Sequence, residues 1–222
     1  MDNRTEKHSP QKSYLEKSFL EELNYKIWST KGARFFADKR LKSKAKMSNI
    51  SLAIISAYLI IAGLISVYNI NQDDQVNIYN YIITALSILV LVFSQFESAQ
   101  DYKLNAKIFH DCGLELSELY NELRIFKTLK LNVSEYETYN FAKNISEKYQ
   151  NILNNYHNHA PIDYDMFLIN NVRYIKELLP EKVTKKNIRK VKINYYWDVY
   201  GWYTIMITVP PIIIGFLIAT GE

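Results

Sequence analysis

Cysteine occurs once in 222 residues, glycine six times and histidine four times, and each scarcity removes a class of function. Cys112 alone cannot close an intramolecular disulfide, which fits a reducing cytosolic compartment. The glycines form neither GxxxxGK[ST] nor GxGxxG, so no phosphate-cradling loop is encoded. One cysteine and the scattered His8, His110, His157 and His159 make no nucleophile–base pair. Cys112 falls at an apolar helical position, where a packed thiol is expected. Two histidines and two carboxylates do gather in His157-Asn158-His159-Ala160-Pro161-Ile162-Asp163-Tyr164-Asp165, and a loop of that kind could ligate a metal. Asp163 is better read as a cap for the helix that follows, with the histidines facing solvent or a partner. The expectation is a protein that is not an enzyme, with no catalytic residue, cofactor or metal site.

Charge is also missing, from three long runs. Ile50–Tyr68 and Ile78–Phe96 each hold nineteen residues without Lys, Arg, Asp or Glu, and nine residues separate them. At about 1.5 Å rise per residue, each covers a hydrocarbon core of roughly 30 Å. The pair reads as a helical hairpin that crosses a bilayer twice. The mean hydropathy of -0.19 hides this, because apolar runs are averaged with very polar stretches. The third run, Val199–Ala219, follows a basic stretch from Lys182 to Lys192 and the aromatic residues Tyr195, Tyr196, Trp197, Trp202 and Tyr203. Basic, aromatic, then apolar is the order of a span that starts in the cytoplasm. Pro210 and Pro211 remove backbone donors within it, a loss that membranes tolerate where neighbours satisfy the freed carbonyls. A kinked third span is expected, with a re-entrant or interfacial segment as the alternative.

The charge that is present orients the hairpin. Seven basic residues lie between Lys31 and Lys46 against the single acid Asp38, whereas the loop Asn69–Asn77 has no basic residue and two acids, Asp73 and Asp74. The positive-inside rule puts the N-terminus and the region after Phe96 in the cytoplasm and the loop outside, as in a cell inner (plasma) membrane protein. Lys39, Arg40, Lys42, Lys44 and Lys46 are read as anionic-lipid contacts, because a basic run that stops at a span marks topology. For the same reason no direct nucleic-acid binding is expected. The first forty residues are too polar for a signal peptide.

Elsewhere the pattern is helical. Leu15, Phe19, Leu23 and Ile27 recur every four positions, Gly32 interrupts, and a stretch with Phe35, Phe36 and Leu41 leads into the first span. This segment either packs on the protein's own cytosolic part or lies in the membrane interface with Trp28, Phe35 and Phe36 inserted. Beyond the second span, Leu104, Ile108, Cys112, Leu116, Leu119, Leu123 and Phe126 make one apolar stripe on a helix that runs unbroken to Leu131. Joined to the span, it would be a rod on the order of 80 Å. Gly113 could kink it, at about 1 kcal/mol relative to Ala. Ser134 and Glu137 form a capping box for a helix whose Phe141, Ile145, Tyr149, Ile152 and Tyr156 share a face. Pro161 separates it from another helix over roughly Asp163–Leu179. The fold class is an all-α membrane protein: a two-helix transmembrane hairpin, a long cytosolic helix, further cytosolic helices and a third C-terminal span. Its divisions are a disordered tail 1–12, a two-transmembrane domain 13–131, a cytosolic helical region 132–198 and the third segment 199–219.

Within the second span, Asn80, Thr84, Ser87, Leu91 and Ser94 follow spacings of four and three and fall on one stripe, with Asn77 and Gln95 close to it. Ile82, Leu86, Leu89, Val90 and Phe93 occupy the opposite side. Such a stripe packs helices together or lines a water-filled path in an oligomer, and one face can do each in a different state. The first span carries a weaker small-residue face, Ala53, Ser56, Gly63 and Ser66, suited to its hairpin partner. Neither core holds an ionisable residue, which argues against a proton-coupled transporter.

The residues before the first span have a further property. Ile27-Trp28-Ser29-Thr30-Lys31-Gly32-Ala33-Arg34-Phe35-Phe36-Ala37-Asp38-Lys39-Arg40-Leu41 resembles the signature that leads into the first span of the SLATT family. The name stands for SMODS and SLOG-associating two-transmembrane effector domains. Trp28, Thr30, Lys31, Arg34, Ala37 and Arg40 are the motif positions. The resemblance runs from about Ser13 to Leu131 and more loosely through Asn158-His159 to Asp163-Tyr164, where it looks like the subgroup associated with reverse transcriptases. It implies a bacterial antiviral effector that is switched on by a nucleotide messenger, a sensor protein or a reverse transcriptase encoded nearby. The effector then perforates or depolarises the membrane, and membrane lipids and further copies of itself are its implied partners. The alternative is a membrane-anchored adaptor that positions a cytosolic partner at the bilayer.

Overall fold

Proline is absent between Pro10 and Pro161, so the covalent chain offers nothing that must stop a helix there. The computed structural model describes residues 18–68, 75–129, 133–178 and 180–220, with side chains over 18–64, 81–129, 133–176 and 182–212. These residues are almost entirely helical and include no strand. The helices are α1 (Phe19–Tyr68), α2 (Gln75–Ser98), α3 (Tyr102–Leu129), α4 (Glu135–Asn155), α5 (Pro161–Asn170), α6 (Val172–Leu178), α7 (Lys185–Tyr196) and α8 (Trp202–Thr220). A 3₁₀ turn, Pro180–Val183, precedes α7, and a π turn, Trp197–Gly201, joins α7 to α8. The expected tail 1–12 and the acidic loop residues Asp73 and Asp74 lie outside the described residues.

Three helix boundaries differ from the sequence reading. Gly32 does not interrupt: α1 is one helix of 50 residues. A Cβ there would lie 2.0 Å from the Phe167 ring, so glycine is used to admit that ring. The unbroken helix expected after the second span is interrupted, because Ala99–Gln100 is a turn and Asp101 takes φ 47°. Aspartate tolerates this left-handed conformation better than most residues. The stretch expected as one helix over 163–179 is two, with Asn171 ending α5 and α6 following it.

The chain divides into two compact units, residues 1–38 with 107–183 and residues 39–106 with 184–222. In the first unit Leu23 and Ile27 of α1 pack with Leu119 and Leu123 of α3 and Ile145 of α4, all nearly or fully buried. Phe126 stacks on Phe141 at 3.8 Å. A second cluster holds Phe167 and Leu168 of α5 and Ile175 of α6 against Tyr25, Trp28 and Phe36 of α1. Trp28 and Phe36, both half-buried, thus pack against the protein's own core, as the packing alternative has it. Ser134 Oγ accepts from Glu137 N at 3.2 Å while Glu137 Oε2 accepts from Ser134 N at 3.4 Å, which closes the expected capping box.

In the second unit, Val191, Tyr195, Val199 and Tyr203 form a buried column at every fourth position through α7, the π turn and α8. Arg40 Nη1 and Lys44 Nζ meet Asp198 at 3.3 and 2.9 Å. Tyr203 donates its hydroxyl to Glu97 Oε2 at 2.8 Å, and the Tyr58 hydroxyl reaches the Ile207 carbonyl at 3.4 Å. These bonds hold α1, α2 and α8 together.

Candidate functional site

Two helices are long and apolar enough to cross a membrane, and the apolar window of the second is not buried within the chain at all. Ile60, Leu89 and Leu91 are exposed at 65, 62 and 62 %. A core helix of a water-soluble domain would be covered, so these surfaces suit lipid or further protein. On α2, Thr84, Ser87 and Leu91 are exposed and Ser94 is half-buried, while the side chain of Asn80 lies outside the described residues. The half-buried Ile83, Val90, Ser94 and Glu97 fall along an adjacent side, roughly a sixth of a turn from the stripe. Among the described residues, α2 is therefore packed by a neighbouring face and most of the polar stripe is left uncovered. Ser87 Oγ donates to the Ile83 carbonyl at 2.8 Å, so its hydroxyl is satisfied without a second helix.

On the first span the buried residues are Ser51 and Ile55, one turn apart. Ala53 and Ser56 are exposed, and nothing lies within 4 Å of a Cβ added at Gly63. The small-residue face read from the sequence is thus not a close contact among the described residues, and Ser66 lies outside them. The basic run divides: Lys39, Lys42 and Lys46 are exposed, whereas Arg40 and Lys44 are engaged with Asp198.

The motif residues of α1 each find a partner within their own unit. Trp28 packs edge-on to Phe167 at 4.6 Å, Thr30 shares a hydrogen bond of 2.9 Å with Tyr149, and Ala37 is fully buried. Lys31 Nζ stands 4.2 Å over the Tyr120 ring. Arg34 is fully buried; its Nη1 donates to the His157 carbonyl and its guanidinium lies 5.4 Å from the Phe109 ring centre. The sequence model of the family described as SMODS and SLOG-associating 2TM effector domain family 5 matches residues 16–216. The chain belongs to this family. The match runs on through most of α8, past the stretches to Leu131 and, more loosely, to Tyr164 on which the resemblance was read. Its description is of a two-transmembrane effector and names no reverse transcriptase. Comparison with curated proteins and with solved structures finds no match.

In this effector-family chain, Arg34 was legible as a motif position, and its full burial is what sequence reasoning missed. Its Nε and Nη2 have no hydrogen-bond partner among the described residues. Burial lowers its pKa, although arginine stays charged at any ordinary pH. The Cys112 thiol, fully buried, is pushed up to about 11, chiefly by burial, and so is an inert packed group. His159 is held below its usual range, first by burial and then by the Arg34 charge. Asp163 is fully buried; it does cap α5, but as the third residue of the helix rather than at the helix start expected, its Oδ2 accepting from the Ala160 backbone N–H at 3.1 Å. Among the described residues no three of His, Cys, Asp and Glu gather as a metal site would require.

Proposed function

We propose that this chain is a bacterial antiviral effector that assembles through its membrane hairpin and forms a pore or otherwise depolarises the membrane when triggered. The observation that carries the reading is the Thr84/Ser87/Leu91 face of α2, which is exposed among the described residues. A polar stripe in an otherwise apolar helix is costly to leave against lipid. Its exposed, weakly polar surface suits contact with a second copy or with water, and the Ser87 hydroxyl bonds within its own helix in the single chain. The cytosolic unit, built around the α1 motif, receives the signal from a nucleotide messenger or a partner sensor. The N-terminus is cytoplasmic and the hairpin loop outside, a reading that the charge asymmetry supports. Residues 199–219 enter the membrane beside the first span, a reading supported by the Tyr58–Ile207 bond.

Inducing the chain in a bacterial host, with membrane potential and growth followed together, tests the proposal. Depolarisation that precedes growth arrest is the expected result. Arrest with an intact potential would favour the adaptor reading instead.

A further inference from the structure

The exposed side of α7, the π turn and α8 forms an open groove of about 720 Å³. Its lining changes character along its length. Its cations, Lys185, Arg189 and Lys192, all stand at one end, interleaved with Ile188 and Ile193; Trp197 and Tyr200 are in the middle, and Ile205 lies between Thr204 and Thr208 at the other end, which holds no charge. Cation, aromatic ring, then apolar side chain is the polarity order of a phospholipid: phosphate, glycerol level, acyl chain. We propose that this groove is a binding site for one anionic phospholipid of the cytoplasmic leaflet.

Three features separate it from an ordinary solvated basic face. The only acid between residues 185 and 220 is Asp198, and Arg40 and Lys44 engage it. Asp198 does not line the groove, which is left with positive charge alone. Trp197 is exposed at 66 %, too large an apolar surface to leave in water at no cost. Finally, a Cβ at Gly201 would come within 2.7 Å of the Trp197 ring, so glycine is what lets the indole lie against the backbone. The π turn that holds both residues is of a kind that recurs at functional sites. The site rests on the membrane reading above, but needs only that the α7–α8 junction sit at the bilayer surface. It stands whether α8 crosses or re-enters.

The test uses the full chain carrying Trp202→Phe, which leaves Trp197 as the tryptophan at this junction, reconstituted in phosphatidylcholine vesicles. One set contains one lipid in ten as brominated phosphatidylglycerol; the other contains the same fraction of brominated phosphatidylcholine beside unlabelled phosphatidylglycerol. The expected result is at least threefold stronger quenching by the brominated anionic lipid, unchanged by millimolar inorganic phosphate. The preference should vanish in Lys185→Gln/Arg189→Gln/Lys192→Gln and persist in Lys39→Gln/Lys42→Gln/Lys46→Gln. Equal quenching by the two lipids would overturn the site. So would a preference that survives the first triple substitution, or one that both triples abolish, since a diffuse basic field would then suffice. Co-sedimentation of each variant with the vesicles separates loss of the site from loss of membrane insertion.

Discussion

The hydroxyl of Tyr58 on α1 donates to the carbonyl of Ile207 on α8 at 3.4 Å, and that carbonyl is the one whose helical donor Pro211 removes. In an α-helix the N–H of residue 211 would bond the carbonyl of residue 207, and proline has none. α8 continues through Pro210 and Pro211 all the same. A neighbouring helix that satisfies the freed carbonyl is the general way membranes tolerate such prolines.

Tyr58→Phe should therefore destabilise the chain by about 0.6 kcal/mol, with about 1.7 kcal/mol as a ceiling for such bonds in membranes. Adding Pro211→Ala returns an N–H to Ile207 and should make the Tyr58→Phe change silent. Thermal unfolding of the four chains of this cycle in detergent checks it; equal costs of Tyr58→Phe in both backgrounds would refute the pairing.

Glycine to alanine within a helix usually stabilises, by about 1 kcal/mol. Gly32→Ala is expected to do the opposite, because its Cβ would meet the buried Phe167 ring at 2.0 Å and overpacking costs about 1–3 kcal/mol. The melting temperature should fall, and in a Phe167→Ala background the same substitution should raise it.

These two residue pairs show why the sequence was only partly legible. The apolar runs and the capping box depend on neighbours within a few positions, so composition and spacing reveal them. Gly32 reads as an interruption because its local propensity is poor, and only the arrival of Phe167 from 135 positions away explains it. The break at Ala99–Asp101 carries no glycine or proline to announce it. Arg34 stands in a basic run, where charge reads as surface, and nothing local marks it as fully buried. The polar stripe on α2 was legible as a pattern, whereas its exposure depended on which face the rest of the chain covers.

Arg34 yields a prediction with opposite signs for stability and function. A buried guanidinium with no ion pair among the described residues and two unpaired nitrogens costs several kcal/mol, more than the about 1–3 kcal/mol of leaving the His157 carbonyl unpaired. Arg34→Met should raise the melting temperature while reducing depolarisation in cells. A fall in both would show that the guanidinium is simply structural.

His159 gives the chain a pH response. Its folded pKa lies below the ordinary 6.5, so the unfolded state takes up the proton first. Its contribution to stability is unchanged above about pH 7 and turns unfavourable as pH falls through 6.5 toward the folded value. His159→Gln should flatten the melting temperature between pH 7 and pH 5 relative to the parent. Arg34→Met should flatten it less, because burial is the larger cause.

The account stands or falls on the uncovered face of α2. Replacing Thr84, Ser87 and Ser94 together with leucine keeps the span apolar and removes its polar stripe. With expression and membrane insertion matched to the parent, the account predicts that depolarisation on induction is lost. Undiminished depolarisation in the triple variant would contradict it.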